Sequence, residues 1–251
     1  MITINLSHVV KGGVGKSVWA RMMCAYLNHK KFPYLAFEAN IDTPDLAGFY
    51  PEIAQNNRVF EFGRGETVDI PNQMIAELVG ANSNPDTPTH AVINMPAAVA
   101  ASFNEWVESF GVFSFLASQN IQIINWYIVT GDPDSLEPLI HSINLHGSEM
   151  PHVVVRNEKF PKSKLSFSPT LQELLTKNNI PTIHLPLIHS RTQNYVLDNQ
   201  LPYEEAILDS ALDQGAGYGA IDQHALKQIL HKCYSSIDST GIFSVAPSST
   251  K

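Results

Sequence analysis

The sequence has few cysteines and no long apolar run. It therefore lacks what a disulfide framework, a metal-thiolate site or a membrane span requires. Among 251 residues there are two cysteines, Cys24 and Cys233, which are too few for a disulfide scaffold and lack the spacing of metal ligands. No apolar stretch reaches the ~18 residues that a membrane-spanning helix needs. The N-terminus has no basic segment leading into a signal-peptide core. These absences predict a cytoplasmic protein.

Positive charge is also scarce. Sixteen Lys and Arg stand against 24 Asp and Glu, which gives a formal net charge of −8. This balance, together with the absence of any Lys/Arg-rich run, argues against a surface devoted to nucleic acid, although it leaves room for a local basic patch. Hydrophobic residues make up 44% of the chain, so a large core is available. We predict a single domain over residues 1–237 and a flexible tail over 238–251, which contains Gly, Pro and Ser.

The most informative feature of the sequence is a glycine-rich loop between a strand and a helix. Residues 2–10 are strand-like and apolar, residues 18–27 have apolar residues at helical spacing, and Lys11-Gly-Gly-Val-Gly-Lys-Ser17 lies between them. In such a loop the backbone N–H groups converge on phosphate oxygens, and the helix N-terminus adds positive potential. Lys16 would reach the β- and γ-phosphates and Ser17 would contact Mg²⁺. The ordinary Walker A pattern does not fit, because position 10 is valine and a second lysine, Lys11, stands at the loop entrance.

This variant loop resembles the deviant Walker A loop of the ParA/MinD family of ATPases. The resemblance implies an α/β fold of the P-loop NTPase type, with a mostly parallel sheet flanked by helices on both faces. It also implies that ATP and Mg²⁺ are cofactors, that ATP drives formation of a homodimer, and that a protein partner triggers hydrolysis. In that dimer Lys11 would cross the interface and touch the partner's nucleotide.

Two acidic positions of the family are amides in this chain. The family's second strand ends in Asp-x-Asp, and Glu38 and Asn40 occupy those positions here. Its third strand ends in Asp-x-Pro, and here Asn94 stands in place of the Asp. An amide cannot accept a proton at neutral pH, so we expect ATP hydrolysis to be slow, partner-dependent or absent. Replacing Asn40 and Asn94 by Asp should accelerate it. In a shifted alignment, Asp42 or Asp45 takes the carboxylate role instead.

The resemblance also assigns residues to the base. The family carries an Asn at the end of a later strand that bonds the adenine ring, and Asn157 matches it; the residues after Pro186 would close over the base. The nucleotide-binding residues implied are Lys11, Gly12, Gly13, Val14, Gly15, Lys16, Ser17, Asn157, Leu187 and Ile188. The implied metal-site residues are Ser17, Glu38 and Asn94, and the catalytic residues are Lys11 and Asn40.

Strand-like and helical segments alternate along the remainder of the chain, which favours a mostly parallel sheet with its ligand site beyond the carboxyl ends of the strands. We predict a short strand over residues 59–62 and one helix over 102–117. Residues 82–88 and 214–219 are predicted loops. Further strands are predicted over 34–39, 89–96, 121–129, 151–157 and 180–186, and further helices over 71–80, 135–146, 192–197, 202–212 and 221–234.

Three functional classes follow from the resemblance. The first is a nucleotide-switched ATPase of plasmid partition, stability or mobilisation, and the second is a nucleotide-binding regulator with almost no turnover. The third, a reductase of the nitrogenase-iron-protein branch, is excluded because Cys24 and Cys233 cannot supply two cysteines per subunit at a dimer axis. Membrane attachment is not expected, since the tail has one lysine and contains Gly and Pro. DNA remains a candidate partner that the net charge does not strongly support.

Overall fold

The structure is a computed structural model that describes residues 1–9, 11–81, 89–208 and 218–243. Its strands are β1 (Ile2–Leu6), β2 (Tyr34–Glu38), β3 (His90–Asn94), β4 (Ile121–Val129), β5 (His152–Asn157) and β6 (Thr182–Leu185). Its α-helices are α1 (Lys16–Lys30), α2 (Asp45–Phe49), α3 (Glu52–Gln55), α4 (Asn72–Ala81), α5 (Ala100–Phe110), α6 (Val112–Ser118), α7 (Pro133–His146), α8 (Pro169–Lys177), α9 (Ser190–Asp198), α10 (Tyr203–Ala206) and α11 (Ala220–Ser239).

The six strands form one parallel sheet in the order β2-β3-β1-β4-β5-β6. β1 is central, and its Ile4 lies opposite Ala91 of β3 and Ile123 of β4. The strands are buried almost throughout, as expected for a parallel sheet covered on both faces. This architecture confirms the predicted fold class. It also brings the carboxyl ends of all six strands to one edge, where such sheets bind ligands beside a change in strand order.

Helices cover both faces of the sheet and enclose a separate hydrophobic core on each. On one face α1 packs under α2, α10 and α11, and its Trp19 ring lies 5.4 Å from that of Trp126. On the other face α4, α5 and α6 bury a core that includes Phe103 and Trp106. Cys24 and Cys233 are buried free thiols in the first core. Within the described part of the chain, no helix combines the length and hydrophobicity that crossing a bilayer requires.

Three of the predicted elements differ in the structure. The helix predicted over residues 202–212 is limited in its described part to α10, and its positions 209–212 lie outside the described residues. The helix predicted over residues 102–117 is divided into α5 and α6 at Gly111, whose φ of 56° is left-handed and ends the first helix. The strand predicted over 59–62 is reduced to a single bridge between Glu38 and Val59. The predicted loop 82–88 and residues 214–217 of the predicted break lie outside the described residues.

The described beginning of the predicted tail belongs to the folded body. Helix α11 continues to Ser239, and its Asp238 accepts hydrogen bonds from Tyr26 Oη and Lys30 Nζ, both at 2.8 Å. Phe243 stacks parallel to Trp126 with ring centroids 6.0 Å apart. Residues 238–243 are therefore held by packing and by an ion pair; residues 244–251 lie outside the described part of the chain.

Candidate functional site

The glycine-rich loop takes a conformation that its glycines make accessible. Gly13 and Gly15 have φ of 73° and 109°, a left-handed region that favours glycine. Gly15 is the residue before α1, and a Cβ on it would come within 2.7 Å of the Asn157 amide nitrogen. The glycines thus let the chain turn sharply from β1 into α1. The first N–H groups of α1, which have no partner within the helix, lie at the mouth of this turn.

The loop forms the floor of a cleft at the carboxyl edge of the sheet. The cleft encloses about 740 Å³, within the range of small-molecule sites. One wall is the segment after β2, the other is the segment after β6 together with α9. The residues that line the cleft and were expected to bind nucleotide are Gly12, Gly13, Gly15, Lys16, Ser17, Asn157, Leu187 and Ile188.

Lys16 is buried at the floor of the cleft. Its side chain is folded over the loop, with Nζ donating to the Lys11 carbonyl oxygen at 3.2 Å, and the residue is only 8% exposed. Burial lowers the pKa of Lys16, because the ammonium group is poorly solvated there. A phosphate bound in the cleft would neutralise the positive charge of this buried ammonium group.

Lys11 faces away from the cleft. Its Nζ pairs with Asp134 Oδ2 at 3.2 Å, in the first turn of α7, and both side chains are substantially exposed. Lys11 is not among the residues that line the cleft. An exposed pair of this kind is weak, so the lysine can leave it at little cost.

Asn157 fastens the loop to the end of β5. Its Nδ2 donates to the Val14 carbonyl oxygen at 2.8 Å, and its Oδ1 accepts from the Lys159 backbone N–H at 3.0 Å. The residue is buried yet lines the cleft. Its position suits the predicted contact with the base, but one donor and one acceptor are already engaged. Val14 is buried below the loop and does not line the cleft.

Glu38 lies behind the cleft, fully buried. Its carboxylate accepts backbone N–H bonds from Asn40 at 2.9 Å, Leu46 at 2.8 Å and Ala47 at 3.4 Å, so it caps the first turn of α2. Asn94 Nδ2 donates to both Glu38 oxygens, at 2.9 and 3.1 Å. Burial raises the pKa of Glu38 to about 7, against the opposing effect of these hydrogen bonds.

The predicted metal-site residues are therefore not brought together on the cleft wall. Ser17 lines the cleft, whereas Glu38 and Asn94 are completely buried beside it and are bonded to each other. In the described residues, no three side chains of His, Cys, Asp and Glu are arranged to hold a metal ion. For Mg²⁺ the available donors are the Ser17 hydroxyl and the carboxylates of Asp42 and Asp45, which line the opposite wall. The donor set fits a magnesium ion shared with phosphates and water, not a cage of protein ligands.

The segment after β2 carries all three candidates for the catalytic position. Asn40, Asp42 and Asp45 each line the cleft. The Asn40 amide nitrogen holds the turn closed by donating to the Thr43 carbonyl oxygen at 3.0 Å and to its hydroxyl at 2.7 Å. The carbonyl oxygen of the Asn40 side chain remains able to accept a hydrogen bond from a ligand in the cleft. Both the direct and the shifted alignment therefore place the catalytic candidate on the cleft wall.

Sequence reasoning missed two charged residues of the cleft, Lys159 after β5 and Arg21. Arg21 lies on α1 one turn after Ser17 and is 1% exposed, yet it is part of the cleft lining. Its spacing of four residues from Ser17 is the signal that could have revealed it, since residues at that distance share a helix face. Gln193 and Asn194 of α9 were also missed as lining residues.

Comparison with known proteins gives the fold. No protein-family model matches the chain, and no curated protein matches its sequence. Among solved structures, the MinD cell division protein of Aquifex aeolicus aligns at 14% identity and a TM-score of 0.51, over 92% of this chain and 97% of its own. The same organism's MinC:MinD complex gives 14% identity and a TM-score of 0.51, over 92% of this chain and 96% of the matched one. The chain therefore has a MinD-like P-loop fold.

Proposed function

We propose that this protein is an ATP-dependent dimerising switch of the ParA/MinD type, with slow or partner-dependent ATP hydrolysis. The observation that carries the proposal is the floor of the cleft. There a glycine loop, a buried lysine and the N-terminus of α1 meet at the carboxyl edge of a parallel sheet. Fixed N–H donors and a desolvated ammonium group together favour an anion with several oxygens, such as the polyphosphate of a nucleotide.

ATP supplies the phosphates that this floor would bind, and Mg²⁺ would neutralise part of their charge. Lys16 and the loop from Gly12 to Ser17 would hold the phosphates, and the Ser17 hydroxyl would hold the ion. Asn157, Leu187 and Ile188 would lie beside the base. Lys11 would leave Asp134 and reach a second copy of the chain, which is how nucleotide would favour a homodimer.

A second candidate function is a nucleotide-binding regulator with essentially no hydrolysis. The Glu38–Asn94 pair favours it, because a carboxylate that is buried and fully hydrogen-bonded is withheld from the cleft. The remaining groups able to orient an attacking water are then Asn40, Asp42 and Asp45. The two functions differ only in whether bound ATP is turned over.

The cellular role is proposed from the ParA/MinD resemblance alone. It comprises plasmid or DNA partition, stability or mobilisation in the cytoplasm, together with a protein partner. A partner is in keeping with the MinD neighbour, which has been solved with MinC.

Calorimetric titration of ATP and Mg²⁺ into wild type and Lys16→Ala tests the binding function. We expect the variant to lose ~2–5 kcal/mol of binding free energy, because phosphate charge is left unpaired in a desolvated pocket. Lys30→Ala is the matched control, since it removes a lysine from the far end of α1, where it pairs with Asp238. Equal affinity of wild type and Lys16→Ala would refute the proposal.

A further inference from the structure

Arg21 is a buried cation whose hydrogen-bonding groups are largely unused. The residue is 1% exposed. In the described part of the chain its guanidinium makes two polar contacts, both through Nε. One is to the Ser17 carbonyl oxygen at 3.4 Å and the other to Asp45 Oδ1 at 3.8 Å, beyond hydrogen-bond range. Nη1 is buried and has no hydrogen-bond partner among the described residues. A guanidinium carries five donors and is always charged, so this environment leaves it poorly satisfied.

Aromatic rings hold the guanidinium in place without satisfying it. Phe49 of α2 lies 4.2 Å from the guanidinium carbon and Tyr203 of α10 lies 5.5 Å from it, measured to the ring centroids. Contacts with ring faces stabilise the positive charge but accept none of its N–H bonds in the plane of the guanidinium. A purely structural arginine of this depth would be expected to find carbonyl or carboxylate partners, since buried polar groups are almost always hydrogen-bonded.

The position of Arg21 in the cleft indicates which part of a ligand it meets. It stands four residues beyond Ser17, about 6 Å along the helix axis, and so beyond the loop that would hold the phosphates. Helix α9 also approaches Arg21 through Tyr203, whose ring lies beside the guanidinium. The Tyr203 hydroxyl donates a hydrogen bond to Gln193 Oε1 of α9 at 3.5 Å. Gln193 and Asn194 are uncharged and line the same cleft. Neutral amides suit sugar hydroxyls and base edges better than phosphates.

We propose that Arg21 is a ligand-contacting residue whose guanidinium donates to an acceptor atom on the sugar or base of the bound nucleotide. This inference rests on the proposed function and adds to it a contact to the nucleoside half of the ligand. Arg21 would link that half to α1, while Lys16 and the glycine loop hold the other half. Asp45, the sole carboxylate near the guanidinium in the described chain, would keep the charge compensated.

The test compares ATP with inorganic tripolyphosphate, a probe that has the phosphates but no nucleoside. Both are titrated calorimetrically into wild type, Arg21→Lys and Arg21→Gln of the full chain. We expect ATP affinity to fall about tenfold in both variants, the size of one lost hydrogen bond to a charged group. Tripolyphosphate affinity should change less than twofold. Arg58→Lys is the matched control, because Arg58 pairs with Glu77 at 2.7 Å and does not line the cleft.

The outcomes separate this inference from the proposed function. If wild type binds neither ATP nor tripolyphosphate, the proposed function fails and the inference fails with it. If wild type binds ATP and the Arg21 variants bind it equally well, only the inference is wrong. Equal losses for ATP and tripolyphosphate would also overturn it, since Arg21 would then act on the phosphates. If wild type binds 2′-deoxy-ATP more weakly than ATP and the Arg21 variants do not, the acceptor is the 2′ hydroxyl of the sugar.

A measurement on the wild type covers the case in which neither variant folds. The Nε–H signal of Arg21 in a nitrogen-correlated NMR spectrum reports on the guanidinium directly. We expect ATP to shift this signal and tripolyphosphate to leave it nearly unchanged. A signal that responds equally to both probes, or to neither, would refute the contact with the nucleoside.

Discussion

Asn94 donates one amide nitrogen to both carboxylate oxygens of Glu38, at 2.9 and 3.1 Å, in a pair that solvent does not reach. An aspartate at position 94 could not make this contact while ionised, because a carboxylate has no donor. The amide is therefore suited to a buried Glu38, which in turn caps α2 and holds the segment that forms one wall of the cleft. Asn94 contributes to the shape of the cleft from behind, rather than to a metal site inside it.

The first prediction is that Asn94→Asp destabilises the fold. Two carboxylates would share a dry site and would need a proton between them. We expect a loss of roughly 2–4 kcal/mol in the free energy of unfolding. The loss should be larger at pH 8 than at pH 6, because the shared proton is harder to keep at high pH.

Urea unfolding at the two pH values measures this loss of stability. Asn56→Asp, at an exposed position, is the control, and a pH-independent loss below about 0.5 kcal/mol would contradict the role given to Asn94.

The second prediction separates the two amides by their effect on ATP hydrolysis. Asn40 lines the cleft, so Asn40→Asp would place a carboxylate where an attacking water could be oriented. We expect the basal rate of phosphate release to rise about tenfold. The sequence alone predicts a still higher rate of hydrolysis for the double substitution Asn40→Asp with Asn94→Asp. From the structure we expect no further gain, because Asn94 does not face the cleft. If wild type hydrolyses ATP as fast as Asn40→Asp, the carboxylate role passes to Asp42 or Asp45, and alanine at each identifies it.

The third prediction concerns acid sensitivity. Burial lowers the pKa of His8 to about 3 and those of His90 and His152 to about 4. Because the unfolded chain binds these protons near pH 6.5, the stability from the neutral rings is present above that pH and is lost as the pH falls towards 4. Glu38 acts in the opposite sense: its raised pKa favours the fold below pH 4.5, and this contribution is lost as the pH rises through 7. Burial also lowers the pKa of His146 and raises that of Glu204. The histidines still outnumber the carboxyl groups, so stability should rise between pH 4 and 6.5.

His8→Phe tests this directly. The His8 ring lies 4.5 Å from that of Phe103, and within the described chain neither of its nitrogens has a hydrogen-bond partner, so an apolar ring can replace it. We expect the variant to recover about 1–2 kcal/mol of the stability that wild type loses between pH 7 and pH 5. Urea titrations at both pH values measure the difference. His141→Phe at an exposed position is the control, and an unchanged pH dependence in His8→Phe would show that His8 binds its proton equally well in the folded and unfolded chain.

The sequence predicted the fold well because its two strongest signals are local. The loop before Lys16 and the apolar strands are recognisable one segment at a time. What the sequence could not reveal depends on contacts between distant residues. The pair of Glu38 and Asn94 forms between the ends of β2 and β3. The outward position of Lys11 depends on its ion pair with Asp134, 123 residues away. Arg21 was overlooked for the same reason, since its cleft is completed by helices far along the chain.

The fourth prediction concerns DNA. Helix α11 exposes Lys227, His231 and Lys232, and Arg191 is only loosely paired with Asp222, at 3.8 Å. If DNA binds, it binds through these few basic residues, and the logarithm of the affinity should fall with that of the salt concentration with a slope of about −3, one unit for each Lys or Arg. Lys227→Ala with Lys232→Ala should reduce the slope by about 2 units in fluorescence titrations.

The matched control for DNA binding removes two lysines elsewhere. Lys162→Ala with Lys164→Ala makes the same charge change on an exposed turn that is not part of α11, and we expect it to leave the slope unchanged. No binding at low salt with ATP present, or binding that salt does not weaken, would remove DNA from the candidate partners.

The last prediction assigns Lys11 to dimerisation rather than to binding within one chain. Lys11 does not line the cleft and is paired with the exposed Asp134. We therefore expect Lys11→Ala to bind ATP with an affinity within about twofold of wild type, but to remain monomeric by light scattering when ATP is added. Lys177→Ala, at an exposed position on α8, should dimerise like wild type. Asp134→Asn removes the partner that holds Lys11 in the monomer, a pair worth at most about 1 kcal/mol. Because a homodimer would release two such pairs, the variant should dimerise at up to roughly thirtyfold lower protein concentration. If Lys11→Ala dimerises normally with ATP, Lys11 has no role across the interface, and its pairing with Asp134 is only a surface contact.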